Sequence, residues 1–140
     1  MFTIDTDTEF GGRIRTRLTD EHVIWLTTVG KSGTPQPNPV WFYWNGSEIL
    51  VFSQAGKAKV HNADRSPQVS LNFNATETGG DVVVLTGTAV IDESGPTDEE
   101  RVAYNEKYEK PLEGLGMSPE KFHEEYPILL RIAPAKVRGF

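Results

Sequence analysis

Residues 40–52 read VWFYWNGSEILVF, two apolar runs separated by Asn45-Gly46-Ser47-Glu48. Val40–Trp44 and Ile49–Phe52 are rich in β-branched and aromatic residues, which predicts a strand in each run. Asn45-Gly46 predicts a tight turn between them, because both central positions of such a turn favour positive φ. The stretch therefore indicates an antiparallel hairpin.

Further strands are predicted on both sides of this hairpin from apolar runs or from alternation, at residues 22–29, 69–73, 82–91 and 128–132. Gly87 predicts a bulge, as found where a sheet curls into a barrel. Helices are predicted at residues 9–18, over about two turns between Gly56 and Ser66, from the Thr97 capping box to Tyr108, and from Ser118, whereas residues 109–117 are predicted as a loop. The pattern indicates an α+β fold that is mostly β, a small antiparallel β-barrel with a few short peripheral helices.

The composition excludes several classes of function. The 140 residues suit one domain over residues 1–140, and the chain contains no cysteine, which excludes a disulfide framework and a thiolate metal site. A net charge of −6 argues against a nucleic-acid partner. No apolar run approaches the roughly 20 residues that cross a bilayer, and the first residues are acidic, unlike a signal peptide. We therefore expect a cytoplasmic protein with no membrane partner.

Residues 56–65 concentrate positive charge in this acidic chain: Lys57, Lys59, His61 and Arg65 stand against Asp64. The segment follows an apolar strand and begins a short helix. Lysines in the first turn of a helix are unfavourable unless an anion binds there, because the helix start already carries partial positive charge. The cluster predicts a phosphate site, and the alternative is a solvated basic turn.

Conventional catalytic constellations are missing from the sequence. The three histidines, His22, His61 and His123, have no metal-ligand spacing, and we expect no metal site. The glycine pairs match neither a P-loop nor a dinucleotide fingerprint, and no serine lies in a nucleophile elbow. An enzyme of this composition would depend on a bound cofactor for its chemistry.

Three segments together resemble a known family: TPQPNPVWFYW at residues 34–44, VFSQAGKAKVHNADRSPQVSL at 51–71 and RIAPAKVRGF at 131–140. Their order and spacing resemble the flavin-binding split-barrel superfamily of pyridoxamine 5'-phosphate oxidase. The resemblance is strongest to the actinobacterial branch of F420-dependent oxidoreductases. It covers nearly the whole chain and implies a split β-barrel.

The resemblance implies a set of cofactor-binding residues. A flavin or deazaflavin ring would pack over the strand that carries Asn38, Val40 and Trp41. The ribityl and phosphate portion would meet Ser53 and Gln54, Lys59 would hold the phosphate, and Lys57 would supply a second contact. Asn62 completes the candidate site, where it is expected to fix the helix more than to touch ligand. No side chain is nominated as catalytic acid or base.

The resemblance also implies a homodimer with the cofactor between two barrels, which Phe140 or Trp25 would help to line. Pyridoxamine phosphate is not expected as substrate, because the basic carboxyl-terminal segment that would hold it has no counterpart. The expected function is hydride transfer from the reduced deazaflavin coenzyme F420 to an electron-poor small organic acceptor. The alternatives are FMN as the cofactor, or a non-catalytic carrier or sensor of flavin or haem. Arg13, Arg15, Arg17 and Arg65 favour F420, because its anionic tail would benefit from extra cations. The alternative for the arginines of the first helix is a solvated amphipathic face.

Overall fold

The computed structural model describes residues 2–140, which form one antiparallel, curled half-barrel sheet with short helices. The strands are β1 (Ile24–Val29), β2 (Pro35–Val40), β3 (Tyr43–Trp44), β4 (Ile49–Ser53), β5 (Gln68–Asn72), β6 (Val83–Ile91) and β7 (Ile128–Gly139). The helices are α1 (Glu9–Asp20), α2 (Ala58–Arg65), α3 (Asp98–Lys107), α4 (Glu109–Gly114) and α5 (Pro119–Glu125). The strand order is β2-β1-β5-β6-β7-β4-β3. The predicted fold class, α+β and mostly antiparallel β, is confirmed.

The two edge strands of the sheet, β2 and β3, are separated in sequence only by Trp41 and Phe42. Two residues cannot span an open seven-stranded sheet, since consecutive Cα atoms lie about 3.8 Å apart. The sheet must therefore curl until its edges approach. The side chains of Tyr108 and Lys107 satisfy the backbone of Phe42 at this closure. Tyr108 Oη lies 2.8 Å from Phe42 N and 3.0 Å from Phe42 O, and Lys107 Nζ donates to Phe42 O at 2.8 Å.

Two apolar cores lie on either side of β4, whose residues are all buried. The first core fills the curled sheet and includes Ile14 and Leu18 of α1. The second core packs Leu50 and Phe52 of β4 against helices α3 to α5. Burial on both faces explains why β4 is an unbroken apolar run, in contrast to the alternating β5.

The predicted strand at Val40–Trp44 is wrong. The chain pairs instead along the proline-rich stretch of β2, which aligns Pro35, Pro37 and Pro39 with residues of β1, and a separate β3 begins at Tyr43. Proline has no backbone N–H to donate to a neighbouring strand. It is therefore tolerated in a strand only where its nitrogen faces away from a partner strand. Because β2 is an edge strand, alternate prolines leave its pairing to β1 intact.

The Asn45-Gly46 turn forms, but not with two positive φ angles. Only Gly46 has positive φ, at 101°, and the connection between β3 and β4 takes four residues. The Asn45 side chain accepts hydrogen bonds from the backbone N–H of Ser47 at 2.9 Å and of Glu48 at 2.7 Å. Asn45 thus closes the turn through its side chain, as an Asx turn does.

Two other predicted boundaries are also wrong. The last strand runs to Gly139 rather than ending at Ile132, and Pro134 is accommodated because that half of β7 pairs only with β6. Residues 109–114, predicted as loop, form α4, whose Leu112 is buried in the second core. The bulge at Gly87 is confirmed as a register shift between Thr86 and Gly87, and the Thr97 capping box is confirmed with Glu100.

An ion-pair cluster around Arg131 joins β7 to α3 and to the β3–β4 turn. Arg131 Nη2 lies 2.7 Å from Glu100 Oε1, Nε lies 2.7 Å from Asp92 Oδ2, and Nη1 lies 3.3 Å from Glu48 Oε1. Asn45 Nδ2 donates to Glu100 at 2.8 Å. The hydrogen bonds from Arg131 hold the pKa of Glu100 down, to about 2, despite the burial of that side chain. The cluster fixes the orientation of α3, and with it the second core.

Candidate functional site

The segment between β4 and α2 carries the two lysines of the predicted phosphate site. The strand ends at Ser53, Gly56 takes φ of 75°, and the helix begins at Ala58 with Lys57 as its N-cap. Lys57 is extended and makes no side-chain cap hydrogen bond. Because Lys57 lies outside the helix, the two lysines need not share a helix face to approach one anion. The short helix and its end at Arg65 agree with the sequence prediction.

Lys59 differs from the other cations of the cluster in being half buried. Burial, and then the nearby charge of Lys57, lower the pKa of its ammonium group, and no carboxylate offsets the shift. A partly desolvated cation that faces no acid is unfavourable in isolation. The site is therefore electrostatically suited to an anion.

A crevice of 240 Å³ opens beside Lys59. Its sheet side is lined by Pro39, Val40, Trp41, Phe52 and Lys59. Its helix side is lined by Tyr104, Leu115, Met117, Phe122 and Tyr126. The crevice is thus walled by aromatic and apolar side chains. Among residues 2–140, Lys59 is the single charged residue that lines it. This composition is typical of a site for an organic ligand.

Trp41, which lines this crevice, is held in place by stacking. Its ring lies 4.5 Å from that of Tyr108 and 5.8 Å from that of Phe122, with interplanar angles of 12° and 22°. Tyr108 is in turn fixed by hydrogen bonds to the backbone of Phe42 and by donation to His22 O at 2.6 Å. These contacts therefore hold the indole in one orientation.

Asn62 lies at the centre of a buried polar network behind α2. Its Nδ2 donates to Thr28 Oγ1 at 3.0 Å and to Gln36 Oε1 at 2.8 Å, and its Oδ1 accepts from Arg65 at 3.0 Å. The network ties α2 to β1 and to the edge strand β2. Asn62 therefore positions the helix that carries Lys59, as its expected role as a helix anchor requires.

Replacing Asn62 by alanine is expected to lower the free energy of unfolding by about 1–2 kcal/mol, because it leaves the Thr28 and Gln36 side chains without their partner. Chemical denaturation measures this change. His61→Ala, on the exposed side of the same helix, is the control and should stay within about 0.5 kcal/mol of wild type. Equal losses in the two variants would show that the network does not anchor α2.

The structure brings some of the predicted site residues together and not others. Val40, Trp41 and Lys59 line one crevice. Asn38 is exposed on β2 outside it, and Ser53 is fully buried with its hydroxyl donating to Gln54 O at 2.9 Å. Lys57 is exposed beside Lys59, and Gln54 is half buried in the same connection.

Sequence reasoning missed the helix side of the crevice altogether. Tyr104 and Phe122 come from α3 and α5, far from the lysines in sequence. A signal was present, since Tyr104 and Tyr108, like Phe122 and Tyr126, are aromatic pairs spaced four residues apart, which places both rings on one helix face. Trp25 and Phe140, expected near the pocket, do not line the crevice, and Trp25 donates instead to Asn74 at 2.9 Å.

Most of the arginines that were expected to meet an anionic tail are engaged within the fold. Arg13 lies 2.6 Å from Asp81, Arg17 pairs with Asp81 and Glu21, and Arg65 is bonded to Asn62 and to Val29 O. Only Arg15 of these four is without an ion pair or hydrogen bond within residues 2–140. The arginine cluster is thus explained mainly by the stability of the fold.

The three histidines have different environments. His22 Nε2 lies 3.2 Å from Lys107 O, His123 Nε2 lies 2.9 Å from Asn105 Oδ1, and His61 is exposed on α2. Burial lowers the pKa of His123 to about 4. No group of three metal-ligating side chains occurs in the described part of the chain, and none of its helices is long and apolar enough to cross a bilayer.

Comparison with known proteins identifies relatives of this architecture. The family model described as pyridoxamine 5'-phosphate oxidase matches residues 10–139. A search of curated proteins gives no match.

Several solved structures share the fold. An F420 reductase is 21% identical, with 88% of this chain and 94% of that chain covered and a TM-score of 0.65. HutZ, the haem storage protein of Vibrio cholerae, is 17% identical over 94% and 95% of the two chains, with a TM-score of 0.70. General stress protein 26 of Bacillus anthracis is 19% identical over 90% and 89%, with a TM-score of 0.67. At these identities the likeness establishes the fold alone.

Proposed function

The chain belongs to the pyridoxamine 5'-phosphate oxidase family, and from that premise we propose that it is a homodimeric oxidoreductase that binds the deazaflavin coenzyme F420. It would transfer hydride between this cofactor and an electron-poor small organic molecule. The observation that carries the proposal is Lys59, a half-buried cation with a lowered pKa beside an aromatic crevice.

The phosphate of the cofactor is assigned to the β4–α2 connection. A phosphate there would meet Lys59, the exposed Lys57 and the start of α2, whose N-cap makes no side-chain hydrogen bond. Backbone N–H groups at a helix start and the partial charge of the helix both favour an anion. Binding would also offset the cost of keeping the Lys59 ammonium partly desolvated.

The ring of the cofactor is assigned to the end of the edge strand β2 and the residue after it, along Asn38, Val40 and Trp41, with Ser53 and Gln54 nearest the ribityl chain. These assignments come from the resemblance, and the shared crevice of Val40, Trp41 and Lys59 supports them. The protein would orient the ring through backbone groups and aromatic packing, while the cofactor supplies the hydride chemistry.

A second copy of the chain is part of the proposal. The crevice of 240 Å³ is smaller than the roughly 300–1,000 Å³ of typical ligand pockets, and it must hold a cofactor ring beside an acceptor. Leu115 on its rim is 65% exposed. A partner subunit placed over this rim would enlarge and enclose the site.

FMN is the alternative cofactor, because its ring and phosphate would use the same residues. The ion pairs of Arg13 and Arg17 remove much of the reason for preferring F420. The structural likeness to an F420 reductase supports that preference. A haem carrier is the other alternative: the likeness to HutZ supports it, and because His22 and His123 are each bonded within the protein, exposed His61 is its candidate iron ligand.

The test is to titrate the purified protein with F420 and, separately, with FMN. Cofactor fluorescence reports binding in both titrations. We expect a dissociation constant in the micromolar range for F420, about −8 kcal/mol, and weaker binding of FMN. Tighter binding of FMN would assign the protein to the flavin alternative. Binding of neither below about 1 mM, about −4 kcal/mol, would overturn the proposal.

A further inference from the structure

The pairing of β1 with β2 is continued beyond its last paired residues by a tyrosine side chain. Ile24 lies opposite Val40, and two residues further along the same register His22 would lie opposite Phe42. No backbone hydrogen bond joins that pair in the described part of the chain. Instead, Tyr108 Oη accepts the Phe42 N–H at 2.8 Å and donates to His22 O at 2.6 Å. The hydroxyl is thus inserted between the two backbones, in place of a direct bond.

The hydroxyl of Tyr108 satisfies a buried backbone group that has no other partner within residues 2–140. Phe42 is fully buried, and its N–H is bonded to Tyr108 Oη, whereas its carbonyl oxygen also receives Lys107 Nζ at 2.8 Å. Burial raises the pKa of Tyr108, so the phenol keeps the proton that it donates. Without this oxygen a buried N–H would lack an acceptor, and the chain at Phe42 would have to move to find one.

Tyr108 also restrains the neighbouring residue, Trp41, through its ring. The two rings stack at 4.5 Å with an interplanar angle of 12°. Because Trp41 directly precedes Phe42, the hydroxyl holds the peptide that follows Trp41 while the ring holds the indole. Trp41 lines the crevice, and Tyr108 does not. Any effect of Tyr108 on a ligand in the crevice is therefore exerted through Trp41.

We propose that Tyr108 is a positioning residue for the ring of the cofactor: by holding Phe42 and stacking on Trp41, it sets the plane against which the ring packs. The inference rests on the proposed function and deepens it, because it divides the site into two parts. Lys59 and the start of α2 bind the phosphate, and Tyr108, through Trp41, governs the affinity for the ring. A change at Tyr108 should therefore alter ring binding and leave the contribution of the phosphate unchanged.

The first test needs no cofactor and follows the indole N–H signals of Trp25, Trp41 and Trp44 by NMR, each assigned by its Trp→Phe variant. In wild type we expect Trp41 to be rigid, with an indole order parameter of about 0.85, and a value below about 0.6 would overturn the inference. Tyr108→Phe keeps the stacked ring and removes the hydroxyl. It should shift the Trp41 signal more than the other two. An unmoved Trp41 signal, or equal shifts of all three, would overturn the inference.

The second test separates binding of the ring from binding of the phosphate. It uses the pair that wild type prefers, FMN with riboflavin or F420 with its phosphate-free deazaflavin chromophore. We expect Tyr108→Phe to weaken both members equally, roughly five- to tenfold, so that the ratio of their affinities stays within about twofold of wild type. Tyr43→Phe is the matched control and should bind as wild type does. Tyr43 is half buried, does not line the crevice, and its hydroxyl makes no hydrogen bond within residues 2–140.

The outcomes distinguish this inference from the proposed function. Unchanged affinity of Tyr108→Phe for the phosphate-free member, or a loss confined to the phosphate-bearing member, would remove the role of Tyr108 and leave the function standing. Binding of neither cofactor by wild type would overturn the function, and the Trp41 signals would still decide whether Tyr108 positions the indole. The order parameter of Trp41 is measured on wild type, so it decides this point even where Tyr108→Phe does not fold.

Discussion

Replacing Arg131 by methionine is expected to lower the free energy of unfolding at pH 7 by about 3 kcal/mol. The guanidinium contacts Glu48, Asp92 and Glu100, and its side chain is only 17% exposed. Removing it leaves three carboxylates facing one another with no cation between them, and losing one partner of a buried pair costs roughly 3–5 kcal/mol. The partial exposure of the cluster places the expected loss at the lower end. Urea denaturation followed by circular dichroism measures it.

The loss should depend on pH in a defined direction. In the folded protein the hydrogen bonds of Arg131 lower the pKa of Glu100 from 4.5 to about 2, and they also lower the pKa of Asp92. A carboxylate with a lowered folded-state pKa stabilises the protein above its unfolded pKa and ceases to do so as pH falls through the folded value. The difference between wild type and Arg131→Met should therefore be complete at pH 7 and shrink between about pH 4.5 and pH 2.

Arg138→Met is the matched control for this experiment. It makes the same substitution on the same strand, at an exposed arginine, and should change the free energy of unfolding by less than about 0.5 kcal/mol. An Arg131→Met loss no larger than that of the control, or one that is undiminished at low pH, would contradict the role assigned to the cluster.

Replacing Lys59 by alanine is expected to weaken binding of a phosphate-bearing flavin cofactor about 10- to 100-fold, from the loss of a charge-assisted hydrogen bond of roughly 1.5–3 kcal/mol. Isothermal titration with F420 or FMN measures the change. Lys57→Ala should lose less, because Lys57 is exposed and solvent screens its charge. Lys31→Ala, an exposed lysine in the β1–β2 connection, is the control.

The affinity of wild type for the cofactor should also fall as pH rises. Burial lowers the pKa of Lys59, so its ammonium is lost at a lower pH than that of an exposed lysine, and only the charged form attracts phosphate. Lys59→Ala should lack this fall in affinity. A steep loss with rising pH that persists in Lys59→Ala would assign the effect to another group.

Much of the fold could be predicted from local patterns. The alternation of Val69 and Leu71, the Thr97 capping box and the basic helix after Phe52 each rest on neighbours in sequence, and each is found where expected. The proline-rich β2 was missed because its acceptability depends on lying at a sheet edge. Edge position is a property of the strand order, which no local pattern carries.

The candidate site, like the fold, contains residues that the sequence indicated and residues that it did not. Val40, Trp41 and Lys59, which the resemblance to the family had grouped, line one crevice. Tyr104 and Phe122 reach it only because α3 and α5 pack on the outer face of β4. That packing depends partly on the contact of Arg131 with Glu100, 31 residues apart, which composition and spacing do not indicate.

The most direct test of the account compares cofactors with and without their phosphate on wild type and Lys59→Ala. FMN is paired with riboflavin, and F420 with its deazaflavin chromophore lacking the phosphate. The account predicts that Lys59→Ala weakens the phosphate-bearing member of the preferred pair about 10- to 100-fold and leaves the other within about twofold. Equal weakening of both members, or no effect on either, would contradict the assignment of Lys59 as the phosphate-binding residue.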